Sequence, residues 1–241
     1  MPFEQWRREH EGVLSLAAES LSFMLRPIDT YDDLLRACRV RAQAYGQKDP
    51  AYRESMARPD EVDASPWTTV FICEDKVTGD AVGTMRIQTT TRGMERLEIE
   101  KYVVAPPEME LYGRGEITRL AAPLGADPFV RLALWKAGYL FCMASQVRWL
   151  MMGVRKPSLI RAYEKMGATD IYDDRRAVPL AYAGNLPHRI LALDIGACDQ
   201  NWRQQNHPLL HFMVGTVHPD ISVLRSVNRH TPKQVRFQVV Q

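Results

Sequence analysis

Two charged residues interrupt an otherwise apolar stretch near the middle of the chain. Glu116 and Arg119 lie in a strand-like run, where an unpaired charge removed from water costs several kcal/mol. Strand alternation predicts that Glu116 and Thr118 share one face, whereas Ile117 and Arg119 share the other. A carboxylate beside a hydroxyl at the end of a strand can hold and deprotonate a nucleophile. An edge strand with its charges in solvent is the alternative.

Another charged residue, Arg41, lies on an apolar helix face. The pattern after Thr30, a capping residue, predicts a helix to about Tyr45. At 100° per residue, Leu34, Cys38, Arg41 and Tyr45 fall on one side of that helix. Arg41 therefore requires an acidic partner or an anionic ligand, unless its guanidinium reaches solvent past the edge of the face.

The segment 46–66 has no sustained periodicity and reads as a long loop, a type of segment that often carries function. Its acidic end includes Asp60 and Asp63. These carboxylates could be solvated, or they could form an ion-paired cluster with Arg41 and with Arg86 on the predicted strand over 81–90. Alternation along that strand puts Arg86 on the face opposite to Met85 and Ile87.

Periodicity and turn residues indicate where the other elements lie. We predict helices over 2–21, 30–45, 127–145 and 157–167, and strands over 22–27, 68–74, 81–90, 97–104, 113–122, 147–154, 168–172 and 188–195. This order predicts an α+β fold in which helices cover a sheet. We divide the chain into an N-terminal helical extension (1–24), one domain (25–195) and a C-terminal extension packed on that domain (196–241).

The composition and motifs of the chain argue against several classes of function. The chain has 241 residues and a net charge of +2, which is typical of a globular protein and does not indicate nucleic-acid binding. Its four cysteines lack the spacing of a metal site, so we expect no metal and a reduced, cytoplasmic protein. Lys136 and Arg148 interrupt the longest apolar run, so we expect no transmembrane segment. Nucleotide-binding, nucleophile-elbow and zinc-protease motifs are absent.

Taken in order, these residues resemble a family: the acyl-homoserine-lactone (autoinducer) synthases and the related N-acyl amino acid synthases, a branch of the GNAT-like acyltransferases. The resemblance covers about 25–195. It rests on the helix pair Arg41 and Tyr45, the loop pair Asp60 and Asp63, Arg86 in GTMRI, and the EITRL strand from Glu116 to Leu120. It implies a central, mostly antiparallel twisted sheet with helices on both faces.

The resemblance also implies a reaction, in which an acyl group passes from a thioester, usually on acyl carrier protein, to an amine. Glu116 would be the base, and Thr118 would hydrogen-bond the amine or the thioester oxygen. No bound cofactor is expected. The residues implied for substrate binding are Arg41, Tyr45, Asp60, Asp63, Arg86 and Arg119.

Two departures from the family pattern guide the choice of substrates. The run RLAAPLGAD lacks the glycine-rich turn that binds coenzyme A pyrophosphate, which favours acyl carrier protein as the donor. The acidic surface of acyl carrier protein could bind four cationic residues of this chain: Arg148, Arg155, Lys156 and Arg161. No tryptophan follows Tyr45 closely, which favours an N-acyl amino acid product made in signalling-molecule biosynthesis. The alternatives are a lactone made from S-adenosylmethionine, CoA-dependent N-acetylation, and a non-catalytic acyl-carrier or lipid-binding module.

A fatty acyl chain requires an apolar slot. Apolar residues of the helix over 127–145 and of the strand that follows it could line such a slot, or could simply form the core. The candidates are Phe129, Leu132, Trp135, Phe141, Trp149 and Met151.

Overall fold

A computed structural model of the chain describes residues 17–90 and 96–224. Its strands are β1 Ala17–Ala18, β2 Phe23–Pro27, β3 Thr68–Asp75, β4 Ala81–Thr90, β5 Gly113–Ala121, β6 Val147–Val154, β7 Thr169–Asp170, β8 Ala177–Leu180, β9 Leu186–Asp194 and β10 Thr216–Val217. Its α-helices are α1 Tyr31–Gly46, α2 Tyr52–Met56, α3 Pro107–Glu110, α4 Pro128–Ala144, α5 Pro157–Lys165 and α6 Ile195–Gln204. Short 3₁₀ turns span Ile99–Lys101 and Ala181–Ala183, and a π-helical turn spans His211–Gly215.

Eight strands form one mixed sheet in the order β2-β3-β4-β5-β6-β9-β7, with β8 also paired to β9. Neighbouring strands are antiparallel except β5 and β6, which run parallel. The chain must therefore cross over between β5 and β6, and α4 makes that connection. β1 and β10 form a separate parallel pair.

The predicted helix boundaries are largely confirmed because local signals set them. Thr30 accepts a hydrogen bond from the Asp33 N–H, and the Asp33 side chain accepts one from the Thr30 N–H in return, which closes a capping box at the start of α1. The Asp127 side chain caps α4, whose first residue is Pro128. Gly167 follows α5 with φ of +99°, a conformation that glycine adopts without strain.

Alternation along the central strands separates two faces of the sheet. Met85 and Ile87 of β4, with Ile117 of β5, pack into the main hydrophobic core together with α4; we call this side the apolar face. The intervening residues, including Arg86 and Glu116, lie on the side covered by α1; we call this side the charged face. The predicted α+β sheet with helices on both faces is confirmed.

The strand predicted over 97–104 is wrong. The chain there forms the 3₁₀ turn Ile99–Lys101, although the apolar side chains of Leu97 and Ile99 are buried. Side chains satisfy the backbone donors in place of a neighbouring strand. The N–H groups of Leu97 and Ile99 donate to the carboxylates of Glu100 and Glu116. Buried N–H groups need such partners, so this segment is tied directly to Glu116.

The first and last described segments of the chain meet near α4. The predicted helix over 2–21 lies mostly outside the described residues, and its last part is wrong because Ala17 and Ala18 pair with β10. The Lys136 ammonium of α4 is buried and donates to the carbonyl oxygens of Phe212 and Thr216 at 2.6 and 2.5 Å. Burial lowers the pKa of Lys136 to about 8. This contact fastens the C-terminal segment to α4. No helix among the described residues is long and apolar enough to cross a membrane.

Candidate active site

Glu116 is buried on the charged face with both carboxylate oxygens held. The Ile99 N–H donates to Oε2 at 2.8 Å, and the Tyr182 hydroxyl donates to Oε1 at 2.8 Å. Burial raises the pKa of Glu116 to about 7 and outweighs these two hydrogen bonds, which favour the charged form. A carboxylate with such a pKa can accept and return a proton near neutral pH.

Arg86 connects the loop, the strands and the 3₁₀ turn around Glu116. Its guanidinium, which is fully buried, donates to Asp60 at 2.5 Å, to Glu98 at 3.1 Å and to the Thr118 hydroxyl oxygen at 2.9 Å. Asp63 lies 3.4 Å away. Burial opposes the charge on Arg86, but these three carboxylates together raise its pKa. The acidic loop is therefore ion-paired, which decides between the two interpretations of the sequence.

Arg41 has the acidic partner that the sequence requires. It is 1% exposed and donates from Nη1 to Asp63 at 2.8 Å. Its Nε and Nη2 atoms are buried without a hydrogen-bond partner among the described residues. Such unmet donors are costly, and a carboxylate is the group that a guanidinium edge binds best.

Arg119 lies on the charged face, so the prediction from strand alternation is wrong for this residue. Between two register pairs, Thr84↔Ala121 and Arg86↔Thr118, β5 contains one residue more than β4. This β-bulge reverses the alternation, and Arg119 adopts a left-handed φ of +54°. Its guanidinium donates to Asp60 at 3.1 Å. Burial opposes ionisation of Asp60, but Arg86 and Arg119 together lower its pKa.

The parallel strands β5 and β6 separate at Glu116. Their register runs from Gly113↔Val147 to Glu116↔Met151 and stops there. Beyond that point β5 pairs only with β4, and β6 pairs only with β9. The two backbones are not hydrogen-bonded to each other beyond this point, so the sheet has an opening there, and Glu116 lies at the last paired position.

Tyrosines from distant parts of the chain lie around this opening. The rings of Tyr45 and Tyr52 lie 6.4 Å apart, and the Tyr52 hydroxyl donates to the Ala183 carbonyl at 3.4 Å. Tyr102 packs edge-on against Tyr182 at 5.9 Å. Through these contacts, α2 and the turn after β8 meet above the charged face. Tyr45, which the resemblance implied for substrate binding, is part of this group.

Three cations lie near the C-terminal end of α1. The Lys48 ammonium lies 5.8 Å from the centre of the Tyr45 ring. Burial lowers the pKa of Lys48, and the positive charges of Lys156 and Arg131 lower it further. Arg131 belongs to α4, which follows β5, and Lys156 directly precedes α5, which follows β6, so segments after both strands contribute to one positive region. An anionic group would relieve this mutual repulsion.

The six candidates for an acyl slot do not line one surface, which corrects that expectation. Trp149 and Met151 belong to a cluster on the charged face. Trp135 and Phe141 belong to the core on the apolar face, where Trp135 packs on Tyr163. Two other α4 residues fall outside both groups: Phe129 is 52% exposed and Leu132 is half-buried. Along β6, Leu150 and Met152 face α4, whereas Trp149 and Met151 point to the other side, so the two β6 candidates could not have joined those of α4 on one wall.

The four candidates for carrier-protein docking do not form one patch either. Arg148 lies at the start of β6, where it binds Asp194 at 3.1 Å and stacks on Tyr112. Arg155 and Lys156 follow the other end of the strand, roughly 23 Å away at ~3.3 Å per residue. Arg161 is exposed on α5, the helix that begins directly after Lys156. Only these three can act together.

A separate cleft of about 490 Å³ lies between α1, the β3–β4 turn and the loop before α4. None of the residues that line it belongs to the network around Arg86 and Glu116, so the chemistry and the cleft do not coincide. The network unites buried charge, unmet hydrogen-bond donors and a carboxyl group, Glu116, whose pKa burial raises to about 7, and such features mark a functional site.

Sequence reasoning missed Tyr182, Glu98, Lys48 and Arg131. Tyr182 is 66 residues from Glu116 and meets it only through the folding of β9 against β6. Glu98 lay in a segment predicted to be a strand. In the sequence, Lys48 and Arg131 resemble ordinary surface cations. Only the fold, which brings them close to each other and to Lys156, indicates a shared role.

Solved structures with a similar fold include two synthases. FeeM, an N-acyl amino acid synthase from uncultured soil microbes, matches with a TM-score of 0.56 at 18% identity, covering 79% of this chain and 98% of FeeM. The CoA-dependent acyl-homoserine lactone synthase BjaI, solved with SAM and isopentyl-CoA, matches with a TM-score of 0.53 at 20% identity, covering 83% of this chain and 92% of BjaI.

A third similar structure is FdhC, a nucleotide-linked sugar GNAT. It matches with a TM-score of 0.50 at 11% identity, covering 79% of this chain and 97% of FdhC. The chain therefore has the GNAT-like fold that its sequence led us to expect. No family model and no curated protein sequence matches it significantly.

Proposed function

We propose that this protein is an acyltransferase that moves a fatty acyl group from a thioester to the amine of an amino acid. One observation carries the proposal: Glu116, whose pKa burial raises to about 7, lies where β5 and β6 diverge and where an arginine–carboxylate network surrounds it. The site thus combines a base poised near neutral pH, an opening in the sheet and charged groups for a zwitterionic acceptor.

The proposed reaction begins with the acceptor as an ammonium. Glu116 removes a proton, and the free amine attacks the thioester carbonyl carbon. The carbon–sulfur bond breaks as the amide forms, and the thiol leaves with a proton. Thr118 accepts a hydrogen bond from Arg86 at 2.9 Å, so its own hydroxyl hydrogen remains available for the carbonyl oxygen.

Arg41 supports an amino acid as the acceptor. Its unmet Nε and Nη2 donors form the edge that holds a carboxylate through two parallel hydrogen bonds. The network contains three arginines and three carboxylates, so its charges already balance. It therefore favours a ligand that carries one positive and one negative charge. The six residues are Arg41, Arg86, Arg119, Asp60, Asp63 and Glu98. Tyr45 and Tyr52 would then contact the acceptor side chain.

The positive region of Lys48, Arg131 and Lys156 supports a donor that carries phosphate. A phosphopantetheine arm, present in both acyl carrier protein and coenzyme A, carries a phosphate at one end and the thioester at the other. We propose acyl carrier protein as the donor, because Arg155 and Arg161 add exposed cations to those of this region and could, together with Lys156, bind the acidic surface of the carrier protein.

The proposal is tested by mass spectrometry of lipid extracts from cells that express the wild type or Glu116→Gln. N-acyl amino acids found only with the wild type would support it and would identify the acceptor. An unchanged product family in the variant would remove Glu116 from the mechanism. No new acyl amide from purified wild type, supplied with acyl carrier protein thioesters and amino acids, would refute the proposal.

A second candidate is an acyl-homoserine lactone synthase that uses S-adenosylmethionine, and the likeness to BjaI favours it. The Tyr45–Tyr52 pair supplies ring faces on which a sulfonium could rest. The same extracts decide between the candidates, because a lactone and an N-acyl amino acid differ in mass. CoA alone, added in a thermal-shift assay, tests whether the donor is instead a CoA thioester.

A further inference from the structure

The reaction proposed above releases a proton that Glu116 cannot pass directly to solvent. An ammonium brings three N–H hydrogens: one stays on the amide, one leaves on the thiol, and the third is released. Glu116 is 1% exposed, and Ile99 and Tyr182 donate to its two oxygens. Turnover therefore needs a neighbouring group that takes this proton outward.

We propose that Glu98 is this outlet, and that its open carboxylate oxygen also holds the acceptor ammonium beside Glu116. This inference rests on the proposed acyl-transfer function. Glu98 directly precedes Ile99, the residue whose N–H binds Glu116. Its own N–H donates to the Gln88 side chain at 2.8 Å, and Gln88 is the register partner of Glu116 across β4 and β5. Two backbone contacts therefore fix Glu98 next to Glu116.

The side chain of Glu98 has the exposure and the free acceptor that this role requires. It is 13% exposed, so it reaches solvent, which the buried Glu116 does not. Its Oε2 atom accepts from Arg86 at 3.1 Å, and its Oε1 atom has no hydrogen-bond partner in the part of the chain that the structure describes. One oxygen is anchored and the other can bind an ammonium or a proton.

Charged and titratable groups face Glu98 from each neighbouring element. Burial raises the pKa of Glu98, Asp60 raises it further, and Arg86, Arg119 and Lys101 oppose the rise. The negative charge of Glu98 in turn raises the pKa of Glu116 and of Tyr182. The pKa of Glu98 is thus moved towards that of Glu116, which favours proton exchange between two neighbouring carboxyl groups.

Steady-state transfer by Glu98→Gln tests the inference. The amide keeps an acceptor for Arg86 but takes no proton, so we expect kcat to fall about tenfold to a hundredfold and KM for the amine to rise. Added imidazole, a small mobile base, should restore part of kcat in this variant and leave the wild type unchanged. Glu98→Asp, which keeps the carboxylate, should retain most of the activity. Glu110→Gln on α3, an exposed glutamate outside the site, is the matched control.

A failure of the proposed function and a failure of the role of Glu98 give different results. An inactive wild type refutes acyl transfer and this inference with it. Wild-type kinetic constants in Glu98→Gln, in an assay where Glu116→Gln shows its expected loss of rate, refute only the role of Glu98. A loss of kcat in Glu98→Gln that imidazole does not relieve also overturns the outlet, because a purely structural role for Glu98 would give that result. If Glu98→Gln does not fold, Glu98→Asp decides. A Glu98→Asp variant that is active and whose kcat, like that of the wild type, does not respond to imidazole supports the inference. A variant that folds but is inactive overturns it.

Discussion

The two faces of β4 and β5 bury side chains equally well and hold them in different ways. Met85 and Ile87 are fully buried against α4, where close packing removes apolar surface from water. Arg86 lies between them in sequence and is just as buried, yet it is held by hydrogen bonds and ion pairs from three other segments. The apolar face can tolerate a change in shape at the cost of stability. On the charged face, the position of each side chain depends on the presence of its ion-pair and hydrogen-bond partners.

The largest expected effect concerns the base on the charged face. Glu116→Gln keeps the volume of the side chain and removes its ability to accept a proton, so the rate of acyl transfer should fall roughly 10²–10⁴-fold. Circular dichroism should show an unchanged fold. A variant with wild-type turnover would show that burial of Glu116 serves the structure alone, and the contrast between the faces would then lose its functional meaning.

Removing the central cation should destabilise the protein most. Arg86→Met fills similar space but leaves Asp60, Asp63 and Glu98 without their shared partner. Breaking a buried pair in this way costs about 3–5 kcal/mol, which urea unfolding would measure. A loss well below 1 kcal/mol would show that the carboxylates find water or other cations, and that the network is not mutually dependent.

The matched change on the apolar face should lower stability without changing recognition. Leu134 of α4 is fully buried in the main core, so Leu134→Ala should cost about 2–5 kcal/mol through lost contacts and a cavity. The KM for the amine should stay at the wild-type value in the folded fraction. A rise in KM comparable to that caused by changes on the charged face would show that the two faces are coupled.

A smaller effect concerns pH. The pKa of Glu116 is raised to about 7 in the folded protein, so the folded state holds its proton more tightly than the unfolded chain does. This contribution to stability is complete below about pH 4.5 and is lost as pH rises through about 7. Glu116→Gln carries no such charge. The variant should therefore gain up to about 3 kcal/mol relative to the wild type between pH 5 and pH 8. A pH-independent difference between the two unfolding free energies would contradict this.

Local rules predicted much of the charged face. Helical periodicity put Arg41 on a buried face and so required an acidic partner, which is Asp63. Alternation along β4 put Arg86 opposite Met85 and Ile87. Both inferences needed only the repeat of a regular element, and no residue distant in sequence.

Irregular backbone and long-range contacts defeated the same rules. One extra residue in β5 moved Arg119 to the charged face, and nothing in GRGEITRLAA marks a bulge. The apolar run over 97–104 looked like a strand, but side-chain acceptors replaced a neighbouring strand. Tyr182 reaches Glu116 only through the completed sheet. For Ile99 and Tyr182 the deciding partner is Glu116, which is 17 and 66 residues away in sequence.

The most direct test of a base poised at neutral pH is the pH dependence of kcat/KM for the amine, measured with acyl carrier protein thioester as donor. We predict an activity that rises with pH around a midpoint near 7, with the rise absent from the residual activity of Glu116→Gln. A midpoint near that of an ordinary glutamate, about 4.5, or a rise near 7 that persists in Glu116→Gln, would contradict the account.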